Sequence, residues 1–234
     1  MVNFKLSFLE KCILALILLI LLIAFGLLYF RPASLDIYLG EDGIVEWLTV
    51  GGLLSGAFVC FIRFIVLFKT KSWWFLLVTF VLGLLLFIAA GEEISWGQRI
   101  LGIQSSEYFL KNNAQGETNI HNLVVNGVKI NKLVFSTILI AVLGIYLIVI
   151  PILYKTNKTV KNFMDNSGVP IPRLYQIISF LIVFGISGLL KHDRNPELLE
   201  CGAAALFFLI IYFPLNKFVF KNNLFSSYST LTSK

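Results

Sequence analysis

Long apolar stretches separated by short polar segments organise this chain. A helix needs roughly 20 mainly apolar residues to cross a hydrocarbon core about 30 Å thick. Six stretches approach that length: Cys12–Phe30, Ile44–Phe68, Trp73–Ala90, Leu133–Tyr154, Leu174–Leu190 and Glu197–Leu215. They predict an all-α polytopic membrane bundle of about six transmembrane helices, forming a single integral membrane domain over residues 1–234. They leave one long connection, Gly91–Lys132, and no room for a separate soluble domain. Lys5 and Lys11 precede the first stretch as an n-region precedes a signal sequence. The apolar run is longer than the usual h-region, however, and Arg31-Pro32-Ala33-Ser34 is a poor cleavage site, so it is read as a retained helix.

Composition agrees with this pattern. With 58% hydrophobic residues, 14% charged residues and a mean hydropathy of +0.86, the chain requires lipid as its solvent. Charge adds an orientation. Six spans place Lys5, Lys11, Arg63, Lys69, Lys71, Lys155, Lys158, Lys161, Arg173, Lys217, Lys221 and Lys234 on one side, opposed only by Glu10 and Asp165. Lys and Arg are retained on the cytoplasmic side. Both termini are therefore expected in the cytoplasm, and the location expected is the bacterial cytoplasmic (inner) membrane. The net charge of +6 then reflects topology and attraction to anionic headgroups, so the partners expected are membrane lipids and no nucleic acid. Cys12, Cys60 and Cys201 fall within expected spans without paired spacing and read as packing residues.

Small residues allow close approach of helices in lipid. The GxxxG of Gly52 to Gly56, the strip of Gly185, Ser187 and Gly188, and the run Gly202 to Ala205 are expected at helix interfaces.

Candidate chemistry gathers at the outer ends of the spans. In Glu41-Asp42-Gly43-Ile44-Val45-Glu46, Asp42 is placed to cap a helix start, and Glu46 lies one turn further toward the hydrocarbon. Gly91-Glu92-Glu93-Ile94-Ser95-Trp96-Gly97-Gln98-Arg99 sets two carboxylates at a helix C-terminus, where the macrodipole disfavours them. If that helix runs on, Glu92 and Arg99 share a face as a possible pair, while Glu93 looks inward. The loop carries Gln115-Gly116-Glu117-Thr118-Asn119-Ile120-His121-Asn122, with short interfacial helices expected around Ile120 to Val124 and over Ser106–Leu110. Before the last span, Asn195-Pro196 reads as an N-cap and first-turn pair. Glu197 and Glu200 share a face that could turn toward Glu46 and Glu92 or Glu93.

The two histidines, His121 and His192, are both expected at this depth. Two imidazoles and a carboxylate make a zinc-type site with an open position for water. The expected ligands are thus His121, His192 and Glu92, holding Zn or another divalent metal. Such a metal lowers the pKa of its water toward about 7. Glu46, Glu93 and Glu200 are the candidate catalytic carboxylates. Trp96, Gln98, Arg99, Asn119, Asn122 and Arg194 are candidates for substrate contact. Ser95 is a conceivable nucleophile without a histidine at dyad spacing, and no HExxH is present. The leading expectation is a metal-dependent hydrolase or transferase acting on lipid-type substrates from the outer face. The alternatives are a transporter or ion-binding component, and a partner-binding membrane protein without catalytic activity.

Glu41–Glu46, Gly91–Arg99 and Gln115–Asn122 together resemble a pattern of uncharacterised bacterial multipass membrane proteins with a GEEISWGQR segment, a resemblance that implies a membrane fold and names no chemistry. The outward-facing polar site is also similar in logic to that of the alkaline-ceramidase-like (CREST) membrane hydrolases, in which histidines hold zinc. This chain departs from them in having six expected spans instead of seven, two histidines instead of three, and no paired histidines on one helix. The comparison is one of analogy.

Overall fold

The computed structural model describes residues 5–125, 127–129 and 139–221. The first helix, α1 (Phe8–Phe30), begins four residues before the expected apolar run because Ser7 and Glu10 form a reciprocal capping box. Pro32 then opens a short helix, α2 (Pro32–Tyr38). The central pair is α3 (Ile44–Leu67) and α4 (Trp73–Glu93), the latter started by the Ser72 side chain accepting from the Phe75 amide.

After α4 the chain makes a tight 3₁₀ turn, Ser95–Gly97, followed by α5 (Gln98–Leu101) and α6 (Glu107–Asn112). The expected helix after Ser106 is therefore present. The one expected around Ile120 is replaced by turns and a two-residue hairpin, β1 (Val124–Val125) with β2 (Val128–Lys129), closed through Gly127 at φ 77°. Of the expected span Leu133–Tyr154, residues 133–138 lie outside the described residues. The rest is α7 (Leu139–Gly144), a π-turn (Ile145–Val149) and α8 (Ile150–Thr156). Pro151 supplies no amide, and the Ile150 amide instead reaches the Ile145 carbonyl, so one wide turn accommodates the proline.

Asn157 then caps α9 (Lys158–Ser167), a helix set at 118° to the segment Ala141–Thr156. Then come α10 (Leu174–Leu189) and α11 (Asn195–Tyr212), and the described part closes with a short 3₁₀ turn, Lys217–Phe220. Asn195, expected as the N-cap, is instead the first residue of α11, and its side-chain amide donates to the Leu190 carbonyl.

Among the described residues four helices are long and apolar enough to cross a membrane: α1, α3, α4 and α11. A fifth is added if the bent pair Ala141–Thr156 and Lys158–Ser167 is one span. The sixteen residues of α10 rise only about 24 Å, which is why it falls short. The protein is thus helical, with four to five candidate spans, and suited to a membrane.

α3 packs against both α4 and α11. Gly52 abuts Ala204, Gly56 abuts Leu86 and Ile211, and Gly83 abuts Cys60 and Phe61. Gly202 meets Val183 of α10. Gly185 and Gly188, expected at that interface, face outward with nothing near them; Ser187 is the buried member of the strip. This packing brings the starts of α3 and α11 and the end of α4 together at one end of the bundle.

Candidate functional site

The site begins where α4 stops. Ser95, Trp96 and Gly97 have φ of 47°, 55° and 75°, three consecutive left-handed residues of which two carry side chains. Such backbone is held only where its surroundings over-determine it. Here the Trp96 ring folds back over Gly91, where a Cβ would lie 2.8 Å from the ring, and its indole N–H donates to Glu92 Oε1 at 2.8 Å. Glu92 Oε2 accepts the amides of Ile120 (2.6 Å) and His121 (3.2 Å). Both oxygens of Glu92 therefore fasten the loop to α4. They serve neither an ion pair with Arg99, since the helix does not run on, nor the expected metal.

Arg99 is carried by the reversed chain into the start of α3. Its Nε lies 3.1 Å from Asp42 Oδ2, one terminal nitrogen 2.6 Å from Glu46 Oε1, and the other 2.7 Å from Glu117 Oε1. Glu41 stands 3.8 Å away. Partial burial alone would lower the guanidinium pKa, but the hydrogen bond to Glu117 and the Glu46, Glu117 and Asp42 charges outweigh it and raise the pKa further. Asp42, at φ 58°, does not cap α3. Gly43 is the N-cap, and the Asp42 amide itself donates to Glu46 Oε2 at 2.7 Å. Arg99 is thus a hub of internal pairing, each of its three nitrogens engaged by a carboxylate.

The loop is saturated in the same way. Ser95, completely buried, donates to Glu117 and accepts from Asn119 Nδ2 at 2.8 Å, so its hydroxyl is enclosed within the loop's hydrogen-bond network. Asn119 Oδ1 accepts from Asn113 and from the Asn122 amide. Gln98 bridges Ser105 and the Thr118 amide at 2.7 Å each. Asn122 donates to Gln115, which in turn donates to Glu41. Gln98, Asn119 and Asn122, expected to touch substrate, instead shape the loop.

Beside this network lies a group of a different kind. Carboxylate oxygens of Glu93, Glu197 and Glu200 lie within 4.8 Å of one another, each residue half-buried. Among the described residues none of the three side chains has a hydrogen bond or an ion pair. Glu93 also feels the charges of Glu46 and Arg99, which joins the trio to the Arg99 network. Arg194 acts on Glu197 through space without a contact ion pair. The sequence put Glu197 and Glu200 on one face of α11, and the structure turns that face toward Glu93. That face was expected to turn toward Glu46 and Glu92 or Glu93, and of these it is Glu93 that it meets, as decided by how α4 and α11 pack.

The histidines are apart from this group. His192 Nε2 is 3.1 Å from Asp36 Oδ1, and its Nδ1 accepts the Arg194 amide at 3.2 Å. His121 sits by Glu92 in the loop, where burial holds its pKa below the ordinary value against the pull of Glu92 and Glu117. Among the described residues the trio is the only group of three or more His, Cys, Asp or Glu side chains placed to share a metal, and it includes neither histidine. The expected His₂-carboxylate ligand set of His121, His192 and Glu92 is not assembled. An all-oxygen set suits hard cations such as Mg²⁺, Ca²⁺ or Mn²⁺ better than zinc.

Comparison with protein-family models, with curated proteins and with solved structures gives no match to this chain.

Proposed function

We propose that this is a six-span membrane protein, with both termini cytoplasmic in an inner-membrane-type bilayer, that binds a hard cation at its outer face between Glu93, Glu197 and Glu200. One observation carries the reading: the three carboxylates converge from two helices with no donor between them. Carboxylates crowded at a membrane boundary are costly unless neutralised, and a shared cation does this for all three. The excess of Lys and Arg at the opposite end supports the orientation. In this reading α10, a shorter apolar helix, completes the sixth pass through local thinning of the bilayer around it.

Ion binding is favoured over hydrolysis because Ser95 and Glu46, a candidate nucleophile and a candidate base, are committed to internal hydrogen bonds, which leaves the uncommitted carboxylates to act together on one ion. A metal-dependent hydrolase or transferase on lipid-type substrates is the second reading. It is favoured by Arg194, whose guanidinium makes no ion pair among the described residues beside Glu197 and would suit a lipid phosphate.

The test is titration of the detergent-purified chain with Mn²⁺, followed by electron paramagnetic resonance. One ion per chain is expected, lost in Glu93→Gln and Glu200→Gln and retained in Glu107→Gln, whose carboxylate is exposed on α6. Binding no stronger than a detergent blank, or unchanged in both trio variants, overturns the proposal.

A further inference from the structure

The end of the bundle remote from the trio is built around α9. At 118° to the segment before it, this helix leaves the direction of the span and runs across the bundle end. Its sequence, Lys158-Thr-Val-Lys-Asn-Phe-Met-Asp-Asn-Ser167, divides cleanly by helical spacing: Val160, Phe163, Met164 and Ser167 on one face, and Lys158, Lys161, Asn162 and Asp165 on the other. The helix packs on α4, where the Trp74 indole donates to Ser167 at 3.0 Å and Gly168 leaves just enough room for the Phe75 ring.

It is also firmly anchored. Asp165, the one acidic residue of α9, receives Tyr154, Lys161 and Asn216, and Asn216 further holds Val169 and Ile171. The acidic charge on α9 is thereby used internally, while Lys155 and Lys158 are exposed and make no hydrogen bond or ion pair among the described residues. On the apolar side Phe163 is 56% exposed, at the same end as Trp73 and Trp74 at 65% and 53%. A helix turned 118° from the segment before it, with lysines on one face, a protruding phenylalanine on the other and neighbouring tryptophans, has the profile of an interfacial helix.

We infer that α9 and the end of α8 form a docking surface for the headgroups of anionic phospholipids, with Lys155 and Lys158 binding the headgroup and Phe163 entering the acyl boundary. The argument is charge complementarity combined with geometry. Two unpaired ammonium groups flank the bend, Lys155 in the last turn of α8 and Lys158 in the first turn of α9, which places them at the end of the span, where phosphates of the surrounding bilayer would lie. The inference is independent of the cation at the other end.

The experiment titrates the full chain in mild detergent with dioleoyl phosphatidylglycerol and, separately, dioleoyl phosphatidylcholine, counting bound lipid by native mass spectrometry. Wild type is expected to prefer phosphatidylglycerol. The Lys155→Gln, Lys158→Gln double variant should bind it about 30-fold more weakly, about fivefold for each lysine near an anionic headgroup. The Lys111→Gln, Lys191→Gln pair removes the same charge from exposed positions elsewhere and should bind as wild type does. Equal affinity for the two lipids, an unchanged double variant, or the same loss in both pairs overturns the inference. Thermal melts of both variants check that neither loss comes from unfolding.

Discussion

At the scale of single residues, pairing separates what the sequence displayed from what it withheld. Glu46, Glu92, Glu93 and Arg99 all lie at the helix ends where their positions in the chain put them. Which carboxylate meets Arg99 is decided by the left-handed run Ser95–Gly97, and a serine and a tryptophan give no residue-type signal of positive φ. Glu117, the shortest-range partner in the loop, was legible only as one polar residue among many. Removing the hub tests the pairing. Arg99→Met leaves Glu46 and Glu117 buried with no counter-charge and should destabilise the protein by about 3–5 kcal/mol, read as a lower melting temperature in detergent. A melt like that of wild type would show that Arg99 holds nothing together.

His121 offers a pH-dependent counterpart. Its folded pKa lies below the unfolded value of about 6.5, so the unfolded chain binds the proton more readily. The stability it contributes is complete above about pH 6.5 and is lost as pH falls through that value toward the folded pKa. His121→Gln should flatten the dependence of melting temperature on pH in this window. An identical slope in variant and wild type would remove His121 from the account.

At the scale of elements, the apolar runs located the helices, and their ends followed local chemistry that the runs do not contain. The Ser7 and Glu10 box lengthens α1, and Asn157 starts a helix in what reads as a polar connection. In α9 only four residues recur at helical spacing, too short a pattern to stand out beside six long apolar stretches. Small residues mark possible interfaces without saying which face is used, because helix rotation is set by the whole neighbourhood. Gly202 and Gly185 make the contrast measurable. A Cβ on Gly202 would stand 2.5 Å from Val183 Cγ1, on a stiff β-branched side chain. Gly202→Ala should therefore cost about 1–3 kcal/mol. Gly185→Ala, with open space around it, should stay within about 0.5 kcal/mol of wild type in the same melt. Equal effects would mean that α10 and α11 meet on other faces.

At the scale of the whole molecule, the two ends of the bundle differ in charge and in how the charge is used. The basic end offers Lys155 and Lys158 on either side of the bend between α8 and α9, with no ion pair among the described residues. The acidic end divides into a hydrogen-bonded network around Arg99 and, beside it, a trio of carboxylates with no hydrogen bond or ion pair among the described residues. That division was not legible beforehand, because composition at a given depth is the same for both. The Arg99 network also bears on how the chain enters a membrane. Arg99 follows Glu46 by 53 residues, so a growing chain that has inserted α3 alone presents Asp42 and Glu46 with no counter-charge. The hairpin of α3 and α4 together with the turn after it is the shortest inserted unit in which those charges are matched. A chain that has passed α3 but stopped before that turn still lacks the partner of Asp42 and Glu46, so the ion network closes only once α3 and α4 stand side by side.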